Sequence, residues 1–125
     1  MSTGPILDTL EVLKTFDQII VRIEQISSEL RGRYLVFKAK VFLLNGTNLR
    51  IYRAWKDGKE VAYNYYWLDQ NNRLIIGWDN SHEVKGISTS PHHKHVGEQS
   101  ICMDSEEKTL ADVLKVIMEK ILKKY

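Results

Sequence analysis

Apolar side chains take every second position through residues 35–43 (Leu35, Phe37, Ala39, Val41, Leu43), with Lys38 and Lys40 between them. That is the period of a strand with one face buried. Asn45-Gly46 follows, a pair suited to a two-residue type I′ hairpin because both residues accept positive φ. A further strand is expected over 49–55, closed by Asp57-Gly58, a second turn signal of the same kind. Another is expected over 61–68, then a polar turn at Gln70-Asn71-Asn72 and a strand over 74–78. Upstream, Ile19, Val21 and Ile23 alternate with Ile20, Arg22 and Glu24. A helix competes there, since Ile26 and Leu30 would extend a 3.6-residue period, but the β-branched density favours a strand. Arg31-Gly32-Arg33 turns the chain back.

Two helices flank these strands. Ile6, Leu10, Leu13 and Phe16 recur near helical spacing, and Pro5 suits a first helical turn, where its missing N–H costs nothing. At the other end Leu110, Val113, Leu114, Ile117 and Ile121 form one apolar face. Thr109 and Asp112 have capping-box spacing, with a carboxylate in place of the usual Glu or Gln. Lys120, Lys123 and Lys124 follow at the carbonyl end, where positive charge complements the helix dipole. Residues 1–5 read as a tail, and 81–107 as an irregular segment containing Gly86, Pro91 and Gly97. A segment that long without a period is more often functional than idle. Short turns force consecutive strands to be antiparallel neighbours. The fold expected is therefore α+β: an antiparallel β-meander of about five strands, with a short N-terminal helix and a C-terminal helix packed on the sheet.

Composition narrows the class. A chain of 125 residues, 43% hydrophobic and 27% charged, fits one domain with its own core. A net charge of +2 does not announce nucleic-acid binding, though it leaves room for a local basic patch. The single Cys102 allows no internal disulfide, and no secretory leader or membrane-length apolar run is visible, so a cytoplasmic location and no membrane partner are expected.

Polar chemistry concentrates in Pro91-His92-His93-Lys94-His95-Val96-Gly97, which holds three of the four histidines. Histidines move protons near neutrality, and Lys94 is a cation suited to a phosphate. Trp78-Asp79-Asn80 ends the last expected strand and brings a carboxylate and an amide. RNA is cleaved without metal when one group takes the 2′-hydroxyl proton, another protonates the leaving 5′-oxygen and a cation steadies the phosphate. His93 and His95 are the candidate acid and base, Lys94 the phosphate donor and Asp79 the orienting carboxylate. Asn80, His82 and His92 are secondary members. If 92–95 is extended, His93 and His95 point to one side, and His92 and Lys94 to the other. A metal reading uses His-x-His with Asp79, Glu83 or His82, but no Cys-x-x-Cys or His-Glu-x-x-His signature is present. The leading reading needs no metal and no cofactor. A surface loop that only packs is the plain alternative, and a buried inert thiol is the expectation for Cys102.

Tyr63, Tyr65 and Trp67 alternate onto one face of their strand, with Arg53 and Arg73 nearby, while Tyr66 lies opposite beside Asn64. Such aromatics can stack nucleobases on an open sheet. They are as well suited to cross-strand packing, their commoner use. A non-enzymatic nucleic-acid- or protein-binding module built on this face is the alternative function.

The runs Tyr65-Tyr66-Trp67-Leu68-Asp69, Leu74-Ile75-Ile76-Gly77-Trp78-Asp79-Asn80 and Pro91-His92-His93-Lys94-His95-Val96-Gly97 resemble the TumE family of small prokaryotic toxin-antitoxin proteins. Ser105-Glu106 and the helix from Thr109 are similar to that family's ending. Gly77 stands where the family often has a basic residue, and Asn80-Ser81-His82-Glu83 carries one histidine where the family often has two. The resemblance implies a toxin component paired with a DNA-binding antitoxin protein. RNA as substrate comes from residue chemistry and from what small toxins commonly attack rather than from the family, and a homodimer is a further possible partner.

Overall fold

The computed structural model describes residues 4–80 and 84–123. Seven strands follow one another in a single antiparallel sheet, in the order of the sequence. They are β1 (Ile20–Arg31), β2 (Tyr34–Leu43), β3 (Asn48–Lys56), β4 (Lys59–Leu68), β5 (Leu74–Asp79), β6 (His93–Val96) and β7 (Cys102–Asp104). Helix α1 (Pro5–Thr15) precedes the sheet and α2 (Leu110–Leu122) follows it. The α+β meander with two terminal helices is as expected, but the sheet has seven strands rather than about five. The additional pair, β6 and β7, lies inside the segment expected to be irregular. Each is short, and β6 is polar, so neither shows an apolar alternation by itself.

One sheet face is covered. Phe37, Ala39, Val41 and Leu43 of β2 join Leu49 and Ile51 of β3, Tyr63, Tyr65 and Trp67 of β4, and Ile76 and Trp78 of β5. Against them pack Leu13 of α1 and Leu110, Val113, Leu114, Ile117 and Ile121 of α2. Full burial of one such side chain stabilises by roughly 1.5–3 kcal/mol, so this layer dominates the fold. Because side chains alternate across a strand, the intervening residues lie on the opposite face, which neither helix covers.

Local chemistry sets the joints. Thr109 caps α2 by accepting from the Asp112 N–H (3.1 Å), and Asp112 in turn accepts from the Lys108 N–H (3.2 Å). The return bond thus reaches one residue earlier than a standard capping box. Asp57 and Gly58 both have positive φ, as a type I′ turn requires. At Asn45-Gly46 only Gly46 does, correcting the two-residue turn expected there. Gly46 N–H donates to Leu43 O, and Leu43 N–H donates to Thr47 O, giving a longer loop that ends in a left-handed glycine. Strand β1 is longer than its apolar alternation suggested. Bulges between Ile20 and Arg22 and between Glu24 and Ser27 shift its phase, and Val21 is left 55% exposed. Gly4 caps α1, so the tail expected over 1–5 gives way to helix at Pro5. Residues 1–3 and Lys124 of the sequence reading lie outside the described residues.

Candidate functional site

Two rows of directly opposed residues cross the uncovered face. The first runs Glu24, Lys40, Arg50, Tyr66, Gly77, His95, Cys102, one residue from each strand. The second runs Ser27, Lys38, Tyr52, Asn64, Asp79, His93, Asp104. The β5–β7 end of these rows brings Asp79, His93, His95 and Cys102 together. The pairing of β6 with β5 is what carries the histidines from the loop reading onto the sheet beside Asp79.

Asp79 is buried, with 4% of its surface exposed, and a buried carboxylate needs compensation. Its Oδ1 lies 2.9 Å from His93 Nε2, and its Oδ2 lies 3.4 Å from His95 Nε2. His93 has no exposed surface, and its Nδ1 lies 2.9 Å from the Pro91 carbonyl. A carbonyl oxygen only accepts, so Nδ1 carries the hydrogen of that bond. The two imidazoles meet edge to face, centroids 5.0 Å apart. His95 Nδ1 is buried and finds no hydrogen-bond partner among the described residues. The segment before β6 is tied to β7, where Ser88 donates from its N–H and hydroxyl to the Asp104 carboxylate (3.0 and 2.6 Å).

Tyr66 completes the cluster. A Cβ on Gly77 would sit 2.7 Å from Tyr66 Cδ1, so the ring lies over the glycine, next to His95 in the row. Burial raises the Tyr66 pKa, the Asp79 charge adds to this, and a hydrogen bond with Gln99 opposes it. Burial also raises the Cys102 pKa, again with help from Asp79, which favours the neutral thiol. Donor atoms of His93, His95 and Cys102 all lie within 4.8 Å of one another. With modest closure to the roughly 3.3–3.8 Å donor spacing of a tetrahedral zinc site, they could hold such an ion.

The other sequence candidates lie elsewhere. Lys94 points to the covered side, where its Nζ donates to Glu107 Oε1 (3.1 Å), the oxygen that Trp78 Nε1 also donates to (3.0 Å). His92 shares that side, with Nδ1 2.8 Å from the Tyr63 hydroxyl. Asn80 extends strand pairing by accepting from the Tyr63 N–H (2.8 Å). His82 and Glu83 lie outside the described residues. Tyr63, Tyr65 and Trp67 are core residues, 1%, 0% and 4% exposed, so their rings present no face to a nucleobase. Arg53 ties α1 to the sheet through Thr9 Oγ1 (2.8 Å) and Glu60 (2.7 Å). Arg73 is exposed in the β4–β5 turn. Sequence reasoning missed Tyr66 and Cys102 as site members. A glycine inside an apolar strand, marking close approach by a neighbour, was the one available signal for Tyr66.

The fold and site together define a small meander-sheet protein with two helices on one face and a buried carboxylate–imidazole cluster on the other. The family model described as Toxin TumE matches residues 9–121, and the chain belongs to that family. Its membership gives it a toxin role and implies an antitoxin partner. No curated protein and no solved structure matches the chain. Among the described residues, no helix is long and apolar enough to cross a membrane.

Proposed function

We propose that this protein is the toxin of a prokaryotic toxin-antitoxin module, held in check by a DNA-binding antitoxin, and that it acts in the cytoplasm as a metal-independent ribonuclease. The observation that carries this reading is the buried Asp79 carboxylate in reach of two imidazoles, 2.9 Å from His93 and 3.4 Å from His95. Imidazole is the usual group for moving protons near neutral pH, and a carboxylate behind it fixes its orientation. His95 is the catalytic residue. It takes the proton of a ribose 2′-hydroxyl, the freed oxygen bonds to phosphorus, and the P–O5′ bond breaks. The leaving 5′-oxygen takes a proton from the hydroxyl of Tyr66, whose ring lies over Gly77, the residue paired with His95. Asp79 and His93 are positioning residues. Lys94, bonded to Glu107 on the covered face, takes no part at the phosphate.

The test is cleavage of total RNA with and without EDTA by wild type, His95→Ala, and Lys94→Ala. Wild-type cleavage should survive EDTA, His95→Ala should lose about 100-fold or more, and Lys94→Ala should stay near wild type. A second reading, a metal-dependent hydrolase, is favoured by the donor atoms of His93, His95 and Cys102 within 4.8 Å. Loss of cleavage in EDTA and its return with zinc would move the assignment there. Intact RNA in every lane would retire both.

A further inference from the structure

Beyond the cluster, the uncovered face carries an unbalanced group of cations on β2 and β3. The β1 arginines are answered by their own strand: Arg22 pairs with Glu24 (2.6 Å) and Arg31 with Glu29 (3.0 Å). Lys38, Lys40 and Arg50 have no carboxylate partner among the described residues. Lys38 and Arg50 are exposed, Lys40 partly so, and the three line one open groove with Gln25, Ile26 and Ser27. Tyr52, half-buried, stands between them and the cluster, with Lys38 Nζ 5.8 Å from its ring centroid. In the first row Arg50 is followed directly by Tyr66, and His95 stands two positions beyond.

We propose that this face is a track for single-stranded RNA, laid across the strands so that phosphates meet Lys38, Lys40 and Arg50 while bases stack on Tyr52 and Tyr66. The proposal rests on the ribonuclease reading for the identity of the strand. Strands lie about 4.8 Å apart, so Arg50 stands ~14 Å and Lys40 ~19 Å from His95 along the row. That is a few nucleotides of extended backbone. Charge decides for a polyanion, because these cations have no carboxylate partner among the described residues and gather on one open groove of adjacent strands. Tyr52 and Tyr66 are only partly buried, and the ring surface they leave decides for unpaired bases, since a duplex hides its base faces. Both rows run unbroken through all seven strands by direct pairing.

Binding is separated from cleavage by using a 2′-O-methyl RNA 12-mer, which lacks the attacking hydroxyl. Lys40→Glu/Arg50→Glu should bind it at least 10-fold more weakly than wild type and flatten the salt dependence by about 1.4, at ~0.7 per phosphate contact. Lys115→Glu/Lys120→Glu, the same charge change on exposed residues of α2, should bind like wild type. Thermal melting of both variants checks that they fold. The track is overturned if wild type does not bind, if the two double variants lose affinity equally, or if duplex RNA binds as well as the single strand. Polyglutamate offers the same charge without bases, so binding through Lys40 and Arg50 as tight as that of the 12-mer would reassign the face to an acidic protein partner. Cleavage of the ordinary 12-mer is read in parallel. Binding through the track with no cleavage retires the ribonuclease reading alone, and cleavage without dependence on Lys40 and Arg50 retires the track alone.

Discussion

At the residue scale, the four residues 92–95 show how one sequence feature divides into two roles. His93 and His95 join Asp79 on the uncovered face, whereas His92 and Lys94 lock the covered side through Tyr63 and Glu107. Burial lowers the His92 pKa below its ordinary 6.5, with the nearby Lys108 charge adding to the effect. Burial also raises the Tyr63 pKa, so its hydroxyl keeps the proton and donates it to neutral His92 Nδ1. A group with a depressed folded-state value binds protons more readily when unfolded. Its contribution is therefore complete above about pH 6.5 and is lost as pH falls below that. Urea midpoints should show His92→Gln less stable than wild type at pH 7.5, with the gap closing by pH 5. A gap of constant size would mean that the bond does not titrate. The histidine concentration was legible in the sequence, and so was its division if the segment were extended. What the sequence did not disclose is that it is extended, because its strand pattern is polar.

At the element scale, the strongest periodicities gave the correct elements. Strand β2 and helix α2 each have one apolar face broad enough to be read locally, and the turn at Asp57-Gly58 adopts the backbone its residues favour. Strand β1 was harder, because its bulges put apolar residues out of phase with the sheet. The α2 cap offers a direct measure of how much a local signal is worth. Thr109→Ala should cost about 1 kcal/mol, lowering the melting temperature by roughly 3–6 °C, while Thr109→Ser should restore most of it. An unchanged melting temperature would place the determinant of the helix start in the packing of Leu110 and Val113 instead.

For the whole molecule, packing both helices on one side leaves the other free of helices, with an open cationic groove at its β1–β3 end and a buried cluster at its β5–β7 end. The same arrangement grades stability across the sheet. Strands β2 to β4 are internal and lie beneath the apolar layer, whereas β7 is a three-residue edge strand and the outer half of β1 is exposed. Amide hydrogen exchange should be slowest in β2–β4 and fastest in β7 and in residues 27–31. Slow exchange in β7 matching that of β3 would show that the site end is as firmly held as the core.

The sequence by itself determined the helices, the order and direction of the first five strands, the buried face of β2 and the residue types rich in proton chemistry. All of these follow from periods and turns that span a few neighbouring positions. Tertiary structure decided which of those residues meet. Tyr63, Tyr65 and Trp67 became core rather than a stacking surface because the helices chose their face. Asp79, His93, His95, Tyr66 and Cys102 became one cluster because four strands register side by side. Register between strands is fixed by the fit of the buried face as a whole, and no short stretch of chain carries that information.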